Sequence, residues 1–140
     1  MRPMTASDSK RNLSGKTMLV TGANSGIGKE TAVSLAASGA HVVMLCRSAE
    51  RGNDALVEVR KRSGGRVDLI LVDLSEPESI ERAVTEVTSK FDKADVLVNN
   101  AGLYVDERRT NSCGWEMHWA VNHLGPALLT WRLSLTRFSM

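Results

Sequence analysis

An apolar run of strand length, residues 17–21, stops at Gly22, and two more glycines, Gly26 and Gly28, open the helical pattern that follows. Few arrangements need three glycines between a strand and a helix. Gly22 permits a tight turn, Gly26 leaves the backbone open to a neighbour, and Gly28 removes a Cβ where the helix must lie close on the strand. The free N–H groups of the first helical turn and the positive end of the helix dipole then suit an anion such as pyrophosphate. Glycines serving packing alone would give the same spacing, so the meaning depends on the rest of the chain. A P-loop is excluded: five residues separate Gly22 from Gly28, and Glu30 follows Lys29 where a metal-binding Ser or Thr belongs.

The pattern repeats. The helix from Gly26 carries Ile27, Thr31, Ala32 and Leu35 as its inward residues and stops at Gly39. Residues 41–46 read as a second buried strand, followed by a helix over about 49–62 with Ala55, Leu56 and Val59 inward and Gly64-Gly65 as its stop. A third strand spans 67–72. Ser75, Pro77 and nearby acids then mark a helix start, with Ile80, Val84, Val87 and Phe91 on one stripe. A fourth strand spans 96–99. Beyond a polar loop at 104–113, Met117, Val121, Leu124 and Leu128 predict one long helix. Strands alternating with helices predict an α/β, doubly wound parallel sheet. With right-handed crossovers, the strand order is 3-2-1-4.

Composition narrows the function classes. The 140 residues include 42% hydrophobic and 24% charged residues, an ordinary globular balance. The net charge of +2 is spread so that residues 1–14 and 130–140 each carry a surplus of two positive charges and residues 15–129 carry −2. Basic ends on a near-neutral body argue against a nucleic-acid surface. Cys46 and Cys113 have no CxxC spacing, which argues against a zinc site or disulfide scaffold. No window is long and apolar enough to span a bilayer, and there is no hydrophobic signal core, so a soluble, intracellular (cytoplasmic) protein is expected.

Four motifs then fall in order: Thr21-Gly22-Ala23-Asn24-Ser25-Gly26-Ile27-Gly28, Asp73-Leu74, Asn99-Asn100-Ala101-Gly102, and Asn122 within Val121-Asn122-His123-Leu124-Gly125. Together they resemble the short-chain dehydrogenase/reductase family over residues 15–129. Gly28–Ala32, Leu45–Ser48 and the run 121–126 are most similar to its retinol-dehydrogenase-like branch. The resemblance implies a Rossmann-type dinucleotide-binding domain and an oxidoreductase that interconverts an alcohol and a carbonyl. It assigns Gly22, Ser25, Gly26, Ile27 and Gly28 to the pyrophosphate turn, Asp73 and Leu74 to the adenine, and Asn99, Ala101 and Gly102 to the strand end beneath the adenosine. Coenzyme choice follows from Arg47: the second strand ends without the acid that grips a ribose 2′-hydroxyl, and an Arg suits a 2′-phosphate. NADP(H) is therefore expected over NAD(H), with a solvated surface Arg as the alternative.

The family's proton transfer uses a Ser and a Tyr-xxx-Lys after a fifth strand. Here the single tyrosine, Tyr104, is followed four positions on by Arg108. Asn122 is the one member of the family's catalytic group present, and there it bends the long helix and holds a water in the proton relay. The resemblance stops near Thr130. The expectation is an incomplete sheet: a flexible arm at 1–14, a partial dinucleotide domain at 15–129 and a divergent tail at 130–140, truncated, as in a shortened isoform, and catalytically deficient. A small lipophilic alcohol or carbonyl would be the substrate only in complete relatives. The alternatives are a non-enzymatic interaction protein pairing with a full-length relative through the free edge of the fourth strand, or an unstable product. Trp115 and Trp119 read as core rather than as a partner face, His118 and Asn122 form no metal site, and Arg60–Arg62 read as a solvated helix end.

Overall fold

The computed structural model describes residues 12–136. Contiguous aliphatic residues favour the pleated backbone, and they form strands β1 (Thr17–Thr21), β2 (His41–Cys46), β3 (Val67–Leu71) and β4 (Val96–Val98). Three helices cross between them: α1 (Gly26–Ala37), α2 (Ala49–Ser63) and α3 (Pro77–Lys90). All strand pairs are parallel, in the order β3-β2-β1-β4, as the alternating pattern predicts.

Strand geometry sends alternate side chains to opposite faces, and both faces are covered. Leu19, Val43, Leu45 and Ile70 meet Ile80, Val84 and Val87 of α3 together with Leu129 and Leu133. Met18, Val20, Val42, Met44 and Cys46 meet Ala32 and Ala36 of α1 and Ala55 and Val59 of α2. Each fully buried Leu, Val or Ile contributes about 1.5–3 kcal/mol relative to exposure, so the two layers together supply the main stabilising term. Among the described residues β4 pairs only with β1, and Val96 on it is 41% exposed.

Several local expectations are corrected. Ile27 does not point inward from α1; it is 80% exposed, and Gly28, Ala32 and Ala36 form the buried stripe. Ser75 does not cap α3. The residue at the N-cap is Glu76, without a side-chain capping bond, and the Ser75 hydroxyl turns back to Asp73. The third and fourth strands each end one residue early. Phe91 stands just past the last turn of α3, half-buried against the core.

The largest difference lies in the long helix predicted from Met117. It is broken into α4 (Met117–Trp119), a π-helical segment (Ala120–Leu124) and α5 (Gly125–Ser134). Pro126 has no N–H for the carbonyl four residues earlier, and its ring would press on that turn, so the backbone widens just before it. The wide turn shifts the phase: Ala120, Gly125, Leu129 and Leu133 are buried, while Met117, Val121, Leu124 and Leu128 are only half-buried. Trp115 and Trp119 are correspondingly exposed, not core residues, with Trp119 stacked on His123 at 4.4 Å between ring centroids. The helix runs through the segment read as a divergent tail as far as Ser134, while residues 137–140 lie outside the described residues. Of the N-terminal arm, residues 1–11 also lie outside them, whereas the Leu13 N–H donates to the Ser38 carbonyl at 2.8 Å.

Gly125 is where α5 meets the loop after β3. A Cβ there would stand 2.1 Å from the Leu74 carbonyl oxygen, so no side chain fits without moving backbone. Gly125→Ala is expected to destabilise the chain by about 1–3 kcal/mol, as overpacking does. Urea unfolding measures it, and an unchanged midpoint would contradict the close approach.

Candidate functional site

The site lies where the sheet's connections diverge, outside the C-terminal ends of β1, β2 and β4. In parallel sheets this crevice is open because the chain leaves neighbouring strands toward opposite faces. Here it is a cleft of about 530 Å³, its floor formed by the turn after β1 and the loop after β4.

The floor is locked by one buried hydroxyl. Thr21 Oγ1 accepts from the Asn100 N–H at 3.0 Å and the Ala101 N–H at 2.9 Å, and Asn100 Nδ2 donates to the Thr21 carbonyl at 3.0 Å. Close contact needs small residues on both sides. Gly22 has φ +64, and a Cβ on it would lie 2.9 Å from Ala101 Cα. A Cβ on Gly28 would lie 2.3 Å from Asn100 Nδ2 and 2.4 Å from the Gly22 carbonyl oxygen, so Gly28 brings α1 onto the strand. Gly26, at φ +54, has nothing within 4 Å of where its Cβ would be. Its conformation favours glycine, and the space beside it is open.

Of the residues singled out from sequence, Gly22, Ser25, Ile27, Arg47, Asp73, Leu74, Ala101 and Gly102 line this cleft. Gly26 and Gly28 shape the turn without lining it. Asn99 does not face the cleft; its amide donates to Thr130 Oγ1 at 3.1 Å, and the neighbouring Asn100 lines the floor instead. Asn122 sits in the π-helical segment and is spent on backbone, accepting from the Leu103 N–H at 2.7 Å and donating to the Leu103 carbonyl at 2.8 Å.

The wall from β3 is built by a local turn. Asp73 Oδ1 accepts from the Ser75 N–H at 2.9 Å and the Ser75 hydroxyl at 2.6 Å, while the Asp73 N–H donates to Ser79 Oγ at 2.8 Å. Asn111 Nδ2 reaches the Ser75 carbonyl at 2.5 Å and ties the 104–116 loop to this wall.

The opposite rim is cationic. Arg47 and Arg51 both line it, and among the described residues no carboxylate pairs with either guanidinium. Ser48 between them caps α2, its Oγ accepting from the Arg51 N–H at 3.3 Å. Sequence reasoning missed Arg51, although its place four residues beyond Arg47, in the first turn after the Ser48 cap, is a signal that the sequence carries. It also missed Thr21, which reads as a plain strand residue. Cys46, under the turn, is no nucleophile: burial pushes its thiol up to about 11. Among the described residues no group of His, Cys, Asp or Glu could hold a metal ion, and no helix is long and apolar enough to cross a membrane.

Comparison with known proteins gives a consistent outcome. The family described as short chain dehydrogenase matches residues 16–136. The chain is 43% identical over 125 residues to the human protein "Dehydrogenase/reductase SDR family member 13", covering 85% of this chain and 31% of that protein. It is 38% identical over 126 residues to human "Retinol dehydrogenase 13", covering 89% of this chain and 38% of that one. It therefore spans about a third of the length of these curated relatives. Among solved structures, L-sorbose reductase from Gluconobacter frateurii, complexed with NADPH and L-sorbose, superposes with a TM-score of 0.76 at 34% identity, over 88% of this chain and 48% of that one.

Two expectations follow from the site's internal bonds. Thr21→Val leaves the Ala101 N–H without its acceptor and the Asn100 N–H with the Val98 carbonyl alone, and should cost about 1–3 kcal/mol, while Thr21→Ser should restore most of it; equal unfolding midpoints for the two variants would contradict the lock. Glu116 caps α4, and the N–H and ring of His118, with the Trp119 N–H, hold its carboxyl down at about 2. A carboxyl whose value is lowered on folding stabilises the fold above its ordinary range and loses that contribution as pH falls through the folded value. The thermal advantage of the wild type over Glu116→Gln should hold at pH 6 and disappear as pH falls from about 4.5 to about 2. A constant difference across that range would contradict it.

Proposed function

The chain belongs to the short-chain dehydrogenase/reductase family, and from that premise we propose that its cleft binds a nicotinamide dinucleotide, NADP(H) in preference to NAD(H). The observation that carries the preference is the rim: two guanidiniums without carboxylate partners among the described residues, and no acid at the end of β2. An Arg is permanently charged and matches phosphate with two parallel donors, whereas a ribose 2′-hydroxyl calls for an acceptor.

The residues present fit such a group. The open backbone at Gly26 and the first N–H groups of α1, with Ser25 at its start, would receive the pyrophosphate. Asp73 and Leu74 would flank the adenine, with Ala101 and Gly102 beneath the adenosine. Arg47, with Arg51 beside it, would meet the 2′-phosphate. The solved L-sorbose reductase, complexed with NADPH, supports this reading by likeness.

When bound, the coenzyme exchanges a hydride with a substrate, and in longer relatives the reaction interconverts an alcohol and a carbonyl. The relatives named for retinol point to a small lipophilic substrate for the whole protein. Proton transfer needs a phenol tuned toward working pH by a nearby cation. The 140-residue chain offers Tyr104, 83% exposed and followed at the fourth position by Arg108, and Asn122 is committed to Leu103. The role these residues support is therefore coenzyme binding. Among the described residues β4 pairs on one side only, which favours a second reading, in which the chain also associates with a longer relative through that edge.

Nicotinamide fluorescence during titration tests the proposal. NADPH should bind saturably and more tightly than NADH, and Arg47→Asp should weaken NADPH about ten-fold or more, the range of a lost charge-assisted hydrogen bond. An unchanged affinity in Arg47→Asp would remove the 2′-phosphate assignment.

A further inference from the structure

The segment leaving β4 forms one wall of the cleft, through Ala101, Gly102 and Leu103. Asn122 grips Leu103 at both its N–H and its carbonyl. Two residues further on, the Val105 N–H donates to His118 Nε2 at 3.1 Å. A ring nitrogen can accept only if it carries a lone pair, so Nε2 is unprotonated in this arrangement. The other nitrogen, Nδ1, lies 2.8 Å from Glu116 Oε1 and so carries the proton it donates to that carboxylate. The bonds on both sides thus define one neutral tautomer.

A second proton changes the balance at one nitrogen only. At Nδ1 nothing is lost, because the donor to Glu116 remains. At Nε2 the new N–H would face the Val105 N–H, donor against donor, and the segment would lose its hold.

We propose that His118 is a positioning residue for the coenzyme cleft, a latch that holds the 101–105 wall when the ring is neutral and releases it when the ring is protonated. The proposal rests on the reading of the cleft as a coenzyme site. Among the described residues, the titratable groups in contact with the imidazole are Glu116 from its own turn and Tyr104 from the segment, whose ring meets it edge-on at 5.6 Å. The charged run 106–109 follows Val105, and within it Glu107 faces Arg109 at 4.0 Å. Glu116, held down at about 2, stays ionised across the range in which an imidazole exchanges its proton, about pH 5 to 8.

Two measurements on the full 140-residue chain decide it. The first needs neither ligand nor variant: nitrogen-15 NMR of the histidine rings and the Val105 amide at pH 8 and pH 5.5. The proton should sit on Nδ1 at pH 8, and the Val105 amide should shift as the ring is protonated. A proton on Nε2 at pH 8, or a Val105 amide that stays put while the ring titrates, would overturn the latch. The second compares NADPH affinity at the two pH values in wild type and His118→Gln, whose amide oxygen accepts from Val105 at either pH. The coenzyme's own phosphate titrates equally in both, so it cancels. Wild type should lose roughly five-fold more affinity on acidification than the variant, the scale of one hydrogen bond. Equal losses would overturn the proposal. Should wild type bind no NADPH at pH 8, the coenzyme reading fails, and the ligand-free spectra still decide the latch.

Discussion

One threonine hydroxyl joins the two strands between which the cleft opens. Thr21 ends β1 fully buried, and its Oγ1 accepts two backbone N–H groups from the first residues after β4. These donors belong to a chain that has just left its ladder. Buried amides need an acceptor; the hydroxyl supplies one for Ala101 and shares the Asn100 N–H with the Val98 carbonyl, 3.0 Å away. The turn after β1 is thereby held against the loop after β4, closely enough that Gly22 and Ala101 touch.

From this lock the division of labour in the site follows. The floor is made of backbone, glycine, alanine and the Asn100 side chain. The rim carries the charge, in side chains free to meet a ligand. Asp73 spends its carboxylate on the turn at Ser75, which shapes the adenine wall that we propose. Outside the cleft, Lys29, Glu30, Glu58 and Arg62 tie α1 to α2, with Lys29 Nζ 2.7 Å from Glu58 and Arg62 2.7 Å from Glu30. These bridges are largely exposed, and such pairs contribute about 0–1 kcal/mol each. The helices are held by the buried alanine and valine stripes beneath them, not by these bridges.

The strands, their order and the position of the glycine turn were legible because each depends on a local pattern: a contiguous apolar run, or a glycine that no other residue can replace. The π-helical segment was not, because the stripe from Met117 to Leu128 has perfect helical spacing and only Pro126, with the contact at Gly125, breaks its phase. Exposure of Ile27 was hidden for a related reason. At the start of α1 the buried contact is made by Gly28, which has no side chain and so leaves no trace in an apolar pattern. Asn99 and Asn100 are identical in type, and only the way the chain leaves β4 decides which one turns to the floor. Trp115 and Trp119, at i, i+4 spacing, read as core, yet both are exposed, and Trp119 stacks on His123 at the surface.

In the function we propose, the turn from Gly22 to Gly28 receives a dinucleotide pyrophosphate at the head of α1. A crystal of this chain grown with NADPH tests it most directly. Phosphate density should lie against the α1 N-terminus and the 2′-phosphate beside Arg47; a well-ordered turn with no nucleotide over it, at saturating NADPH, would overturn the coenzyme site.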